Sequence, residues 1–228
     1  MYSGGKHKSP FRNITNYING QKGKEVKRGL KYDFSLIALV LIPVGVSINV
    51  VGYQMSQILK LPIFIDQIGT ILVSMLMGPW VGMVTGLLGN AVNGMIYPTA
   101  FGYAIVSMLI GLVSGFLSRW KFYSNILGIV FGCVLLNVVS SVSAAVVTVF
   151  MFGGVTGAGT DLLTAAFVAS GQALWNSVLT TNVISGTINT IVNFAVAWIV
   201  VRRIPDRFLV KLNYGLQYIK KKGAKING

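Results

Sequence analysis

The feature that most constrains the fold is a series of long apolar runs, without polar alternation, that fills most of residues 34–201. Hydrophobic residues make up 54% of the chain and charged residues 11%, which leaves too little polar surface for a water-soluble globule of 228 residues. A backbone in lipid must satisfy its hydrogen bonds as helices or as a closed barrel, and unalternating runs favour helices. The sequence therefore predicts an all-α integral membrane protein.

The distribution of cations predicts the orientation of the chain. Eight of the 19 Lys and Arg residues lie in residues 1–31 and eight in residues 202–225. Because such residues concentrate on the inner side of membrane proteins, we expect cytoplasmic basic tails at 1–33 and 204–228 and a membrane domain at 34–203. The net charge of +14 then reflects orientation and anionic lipid headgroups, and nucleic-acid binding is not expected.

Six membrane helices account for the apolar runs and return both termini to the cytoplasmic face of the cell membrane. The predicted spans are Phe34 to about Tyr53, two arms within Ile65–Thr99, Ala100–Ser118, about Ser124–Phe152 and roughly Val178–Val201. Arg119 and Lys121 then fall on the inner side, and Lys60 is the one cation on the outer side. A long outer loop, Gly153–Trp175, is expected between the fifth and sixth helices.

The second and third helices are predicted to form a short hairpin. Proline cannot continue a helix and glycine tolerates a turn, so Gly78-Pro79 should end one arm and begin the next. Each arm then has about 16 residues, or ~24 Å, against a hydrocarbon core of ~30 Å. We expect the ends of such short arms to border a cavity or to bend the membrane.

Most catalytic chemistry is excluded by the residue types. The single histidine, His7, lies in the N-terminal tail, which excludes metal clusters and histidine-based triads, and the chain lacks a glycine-rich phosphate loop with a lysine. We therefore expect neither an enzyme nor a bound cofactor or metal. Cys133 is the only cysteine, so an intramolecular disulfide is impossible.

The remaining chemistry consists of uncharged polar groups and aromatic rings that the topology places towards the outer face. An apolar surrounding with a few hydrogen-bonding groups is typical of a small-molecule pocket. The candidate substrate-binding residues are Tyr53, Gln54, Asp66, Gln67, Asn90, Asn93, Tyr97, Tyr103, Trp175, Asn176 and Asn182. The alternatives are an aromatic belt at the membrane interface, interhelical hydrogen bonds by the asparagines, and capping of a helix by Asp66. Asn137, Asn189 and Asn193 are expected to join helices.

These motifs resemble a known family. Residues Phe34–Arg203, and above all D-x-I-G-T at Asp66–Thr70 followed by L-M-G-P-W-x-G-x-x-x-G up to Gly86 and then Asn90, resemble the substrate-binding S component of an energy-coupling factor (ECF) vitamin transporter. The resemblance implies a protein that captures a vitamin outside and topples in the membrane. Its partners would be a transmembrane coupling subunit and two cytoplasmic ATPases. The lack of a nucleotide-binding motif in this chain agrees with ATP hydrolysis by separate subunits.

The resemblance also implies a docking face for the coupling subunit on the first helix. Family members carry small residues there, often alanines four apart, and this chain departs from that pattern. The small residues that it offers are Ser35, Ala38, Gly45 and Gly52.

The identity of the ligand is constrained mainly by charge. A pocket for an anionic vitamin should contain Arg or Lys, and Lys60 alone lies on the outer side, which favours a neutral or weakly charged ligand. The glycine content of the outer loops leaves room for a large one, so cobalamin or a related corrinoid ranks first. A queuosine precursor or another small neutral vitamin ranks next. A stand-alone secondary transporter or small channel, and a lipid enzyme using Asp66 and Asp161, are the competing classes.

Overall fold

The computed structural model describes residues 29–219, so most of the N-terminal basic tail and the last nine residues of the C-terminal tail lie outside the described residues. Its main helices are α1 Leu36–Ile58, α2 Ile68–Met77, α3 Pro79–Gly94, α4 Ala104–Arg119, α5 Ile126–Phe152 and α6 Leu174–Arg203. A shorter helix between α5 and α6, here called the loop helix, covers Asp161–Ala169. Single turns occupy Leu30–Asp33, Thr99–Gly102, Phe122–Ser124, Asp206–Leu209 and Gly215–Tyr218. Residues 29–219 contain no strand, which confirms the predicted helical class.

Within residues 29–219, three helices are long and apolar enough to cross a membrane. They are α1 with 23 residues, α5 with 27 and α6 with 30, or ~35, ~40 and ~45 Å at ~1.5 Å per residue. Their outward side chains are mostly Leu, Ile, Val and Phe, for example Leu36 at 80% exposure and Leu127 at 80%. So much exposed apolar surface is stable only in contact with lipid or with another protein.

The first half of the bundle differs in detail from the sequence prediction. Helix α1 continues to Ile58, five residues past Tyr53, and α2 has 10 residues where an arm of about 16 was expected. The difference arises because residues 61–67, here called the inserted segment, contain no helix and lie against α6 through side-chain hydrogen bonds. At ~15 Å, α2 is too short to cross a ~30 Å core by itself.

Helix α2 is the centre of the bundle. All ten of its residues are buried, and it packs against α1, α3, α4 and α6. Gly78 follows it with a φ of 102°, and Pro79 begins α3, as the sequence predicted. A side chain at Gly78 would be strained in this conformation, and its Cβ would lie 2.5 Å from the Tyr214 ring.

The helices alternate in direction, which defines two ends of the bundle. The loop end holds the C-terminus of α1, the N-terminus of α2 and the loop helix, and the terminal end holds Asp33 and the Gly78 corner. At the terminal end the C-terminal segment folds back onto the bundle. Tyr214 donates its hydroxyl to the Asp33 carboxylate at 3.2 Å, and Gln217 donates to Ser118 Oγ at 2.7 Å.

Candidate functional site

A cavity extends from the loop end into the bundle, between α1, α2 and α4 on one side and α5 and α6 on the other. It contains about 1040 Å³ of space not occupied by protein, its open mouth included. Its wall combines apolar side chains such as Ile71, Val106 and Leu136 with many hydroxyl and amide groups. A mixed lining of this kind is typical of a site for a small organic molecule.

Helix α6 supplies a polar stripe along the cavity. Thr181, Ser185, Asn189 and Asn193 follow one another at intervals of four residues, so their side chains share one face of the helix. The hydroxyl of Ser185 donates to the carbonyl of Thr181 at 2.7 Å, which satisfies that donor inside the helix. The stripe therefore places hydrogen-bonding groups at successive depths of an otherwise apolar bundle.

Two asparagines of α6 hold the inserted segment in place. The Phe64 N–H donates to Asn189 Oδ1 at 2.9 Å, and the Gln67 N–H donates to Asn193 Oδ1 at 3.0 Å. Asn193 Nδ2 also donates to the Phe64 carbonyl at 2.8 Å. Because Asn193 is 1% exposed, these bonds are shielded from water and orient Asp66 between their two attachment points.

The loop before the loop helix also borders the cavity. The Asp161 carboxylate accepts hydrogen bonds from the N–H groups of Thr156 and Gly157, at 2.9 and 2.7 Å, and from the Thr156 hydroxyl at 3.0 Å. The loop helix is joined to α6 by a 3.2 Å hydrogen bond between Thr164 and Thr181. Asp161 thus organises the loop that borders the cavity.

Aromatic rings flank the polar groups. Tyr53 on α1 stacks on Phe64 with ring centroids 6.3 Å apart, and Tyr103 on α4 stacks on Phe152 at 5.8 Å. The Tyr103 hydroxyl shares a 2.6 Å hydrogen bond with Thr148 of α5. Tyr53, Phe64 and Tyr103 line the cavity, so flat faces and polar edges are both available to a ligand.

The charged residues that line the cavity are acidic. Asp66 and Asp161 line it, and among residues 29–219 no Lys, Arg or His does. Lys60, the nearest cation in sequence, is exposed and lies outside the wall.

The structure brings several of the predicted site residues together. Tyr53, Asp66, Gln67, Tyr103 and Asn182 line the cavity. Asp66 does not cap α2, since the residue that precedes that helix is Gln67, whose side chain makes no capping bond.

Four other candidates lie outside the cavity wall and contact neighbouring protein groups. Asn90 donates to Ser107 at 2.6 Å and thereby joins α3 to α4, as the interhelical alternative predicted. Gln54 donates to Asn93 at 3.4 Å between α1 and α3, and the Tyr97 ring packs edge-on against Tyr53 at 5.9 Å.

The last two candidates lie at the start of α6. Trp175 packs edge-on against Phe150, with ring centroids 6.2 Å apart, and Asn176 is exposed. Neither residue lines the cavity in this conformation.

Sequence reasoning missed much of the wall. The polar lining residues that it did not select as binding residues are Gln57, Thr99, Ser140, Ser141, Thr148, Thr156, Thr160, Asp161, Thr164, Thr181, Ser185, Asn189, Thr190 and Asn193. Part of this wall could have been found from the four-residue repeat of polar side chains in α6, because such a repeat predicts one polar face of a helix. Asn189 and Asn193 were expected to join helices, and they instead attach the inserted segment to α6. Asn137 does join helices, through a 2.8 Å bond to Thr187.

The small residues proposed for docking are largely engaged inside the protein. Ala38, Gly45 and Gly52 are buried, and Ser35 caps α1 by accepting a hydrogen bond from the Ala38 N–H at 3.3 Å. A Cβ added at Gly52 would lie 1.6 Å from the carbonyl oxygen of Ile65, so this glycine permits the inserted segment to approach α1. Contact of these residues with a coupling subunit stays a prediction.

The comparisons with known proteins agree with this architecture. Within residues 29–219, no group of three or more His, Cys, Asp or Glu side chains could hold a metal ion. The comparison with curated proteins and the comparison with solved structures each found no match. A family model described as "ECF transporter, substrate-specific component" matches residues 37–201. This range includes all six main helices except Leu36 at the start of α1 and Arg202 and Arg203 at the end of α6. The chain is therefore a membrane protein of the family of substrate-specific components of ECF transporters.

Proposed function

We propose that this chain captures a vitamin-sized organic solute in the cavity between α1, α2, α4, α5 and α6 for ATP-driven uptake. The observation that carries the proposal is the polar and aromatic lining of a cavity inside a bundle whose outer surface is apolar. Burying hydroxyl and amide groups costs free energy unless they find partners. A ligand that supplies hydrogen bonds in this cavity offsets that cost, whereas packing alone would be served better by apolar side chains.

The energy for uptake is proposed to come from partner subunits. The sequence lacks a phosphate-binding loop, and family membership implies a transmembrane coupling subunit and two cytoplasmic ATPases. We propose that the coupling subunit contacts the outward side of α1 next to the predicted small residues. That side exposes Val40, Val44, Ser47 and Val51.

We further propose six membrane passages with both termini in the cytoplasm. Arg119, Lys121, Arg202 and Arg203 lie at the terminal end of the bundle and Lys60 lies at the loop end, which supports a cytoplasmic terminal end. The cavity would then open to the outside. In this arrangement α2 and α3 enter the membrane as one hairpin, and the inserted segment completes the path of α2.

The size of the cavity supports a ligand smaller than cobalamin. The 1040 Å³ of empty space counts open solvent at the mouth, so the enclosed part of the cavity is smaller than this figure. A corrinoid would have to remain partly in the mouth or displace the loop helix. We therefore rank a small heterocyclic vitamin, such as a queuosine precursor, above cobalamin.

Two measurements test the proposal. Mass spectrometry of the purified protein should identify a co-purifying vitamin-sized compound. Proteoliposomes that contain the chain with its coupling subunit and ATPases should accumulate that compound only when ATP is supplied. Equal accumulation by the chain alone, without ATP, would identify a secondary transporter and contradict the proposal.

A matched pair of variants ties uptake to the cavity. Thr181→Val removes a hydroxyl from the wall with little change in volume, and it should weaken binding. Thr187→Val makes the same change on the same helix outside the wall, at the partner of Asn137, and should leave binding unchanged.

A further inference from the structure

The cavity that we propose as the ligand site has an unbalanced charge. Asp66 and Asp161 line it, and among residues 29–219 no basic side chain does. A cleft with low-dielectric walls and charges of one sign concentrates the field and attracts ions of the opposite sign. Lipid around the bundle strengthens this effect because it contributes no screening.

The two carboxylates differ in their hydrogen bonding. Asp161 accepts three hydrogen bonds from Thr156 and Gly157, so its oxygens serve the loop. Among residues 29–219, Asp66 forms no ion pair, and its carboxylate accepts a hydrogen bond only from its own backbone N–H. Asp66 is therefore the carboxylate with acceptor capacity left for a ligand.

A second unused acceptor lies next to Asp66. Gln67 lines the cavity, and its Oε1 atom is buried without a hydrogen-bond partner in the part of the chain that the structure describes. An unpaired buried acceptor is costly, and its neighbour in the chain is the Asp66 carboxylate. A ligand group with several N–H donors would satisfy both acceptors.

Aromatic faces complete the environment of Asp66. Tyr53 and Phe64 line the cavity and stack on one another 6.3 Å apart, and Tyr103 lines it from α4. The faces of aromatic rings carry negative potential and attract organic cations. Rings and carboxylates without a basic residue form an environment that favours a positively charged ligand over an anionic one.

We propose that the ligand is an organic cation with N–H donors, such as a protonated amine or amidine on a heterocycle, and that Asp66 and Gln67 accept those donors. This inference rests on the proposed function and narrows the class of solute. It replaces the sequence expectation of a neutral or weakly charged ligand with a cationic one. Asn189 and Asn193 act as positioning residues, because they hold the inserted segment that carries both acceptors.

Three probes of nearly equal size and different charge test the inference. Benzamidine carries a positive charge and N–H donors at neutral pH, benzamide is neutral, and benzoate is negative. Ligand-observed NMR at millimolar concentration, on the full chain in nanodiscs, should show benzamidine binding at least tenfold more tightly than benzamide, with benzoate weakest. Comparable binding of benzamide or benzoate, or no detectable binding of benzamidine, overturns the inference.

The variant Asp66→Asn assigns the effect to this carboxylate. It should weaken benzamidine binding about tenfold to a hundredfold, since charge-assisted hydrogen bonds are roughly twice as strong as neutral ones, and it should change benzamide binding little. Asp206→Asn, at an exposed carboxylate of the terminal end, is the matched control and should bind like the parent protein. Equal losses in both variants, or no loss in Asp66→Asn, contradict the assignment.

The compound that co-purifies separates failure of this inference from failure of the proposed function. A compound with a basic nitrogen supports both. A neutral or anionic vitamin that is accumulated with ATP leaves the proposed function standing and overturns the inference. Accumulation without ATP or partner subunits overturns the proposed function, whatever the charge of the solute.

Discussion

Replacement of Asn193 by Leu should weaken ligand binding by releasing the inserted segment. Leu has the same branching at Cγ with a somewhat larger volume, and it cannot accept from the Gln67 N–H or donate to the Phe64 carbonyl, bonds of 3.0 and 2.8 Å in the structure. Asp66 and Gln67 would then lose their fixed position at the cavity. The hydrogen bond from the Phe64 N–H to Asn189 remains and holds part of the segment.

The size of the effect follows from these two bonds. A buried hydrogen bond contributes about 0.5–1.5 kcal/mol net, and a partner left unpaired costs about 1–3 kcal/mol. Some of this loss disappears because the freed Gln67 and Phe64 groups can move towards water in the cavity. We expect the free energy that orders the inserted segment to become less favourable by about 1–3 kcal/mol, and ligand binding therefore to become roughly 5- to 150-fold weaker.

The assay is isothermal titration calorimetry with the identified ligand on the purified chain, together with its thermal unfolding midpoint. Asn137→Leu is the control, because it removes the 2.8 Å bond to Thr187 between α5 and α6 and lies outside the cavity wall. It should lower the unfolding midpoint without changing affinity. Affinity of Asn193→Leu within twofold of the parent protein would refute the positioning role of this asparagine.

Three further predictions follow from the structure. Gly52→Ala should weaken ligand binding at least tenfold, because the added Cβ would lie 1.6 Å from the Ile65 carbonyl oxygen and must displace the inserted segment. Unchanged affinity in a calorimetric titration contradicts this packing. Affinity for a cationic ligand should fall when the pH is lowered far enough to protonate Asp66, because protonation removes its charge, and the fall should be smaller in Asp66→Asn; an equal fall in the two proteins contradicts the role of Asp66. The other titratable groups that line this cavity are Tyr53, Tyr103 and Asp161. Burial raises the pKa of Asp33, so the charged form of Asp33 destabilises the fold at neutral pH. Asp33→Asn should therefore raise the thermal unfolding midpoint at pH 7, and this gain should shrink as the pH falls. A lower midpoint of the variant at pH 7 contradicts this reasoning.

The elements that could be predicted from the sequence are those specified by local chemistry. Long apolar runs predicted the helices, and Gly78-Pro79 marked the corner between α2 and α3 because each residue restricts the backbone by itself. The end of α1 and the start of α2 could not be predicted in the same way. Residues 61–67 are apolar enough to be helical, and their conformation depends on hydrogen bonds to α6.

In the candidate site, too, some features could be predicted from local sequence and others depend on tertiary packing. One cavity is lined by four of the predicted residues next to outer loops, Tyr53, Asp66, Gln67 and Tyr103, and their role in binding a substrate stays a prediction. Asn90 carries the same kind of side chain at a similar predicted depth, and it faces Ser107 between α3 and α4. Which side of a helix meets the cavity depends on helix rotation and packing, and a single sequence does not encode these in a local pattern.

By itself, the sequence determined the helical class, the membrane environment, the hairpin corner and the scarcity of cations, Lys60 alone, on the predicted outer side. Each of these depends on residue type and on spacing within a few turns of helix. Only the tertiary structure decided that Asn189 bonds to Phe64, 125 residues earlier in the chain, and that Asp66 is thereby held at the cavity without a cation. Contacts at such separations form only when whole helices pack, because the free energy that selects them is shared among all the surfaces buried together.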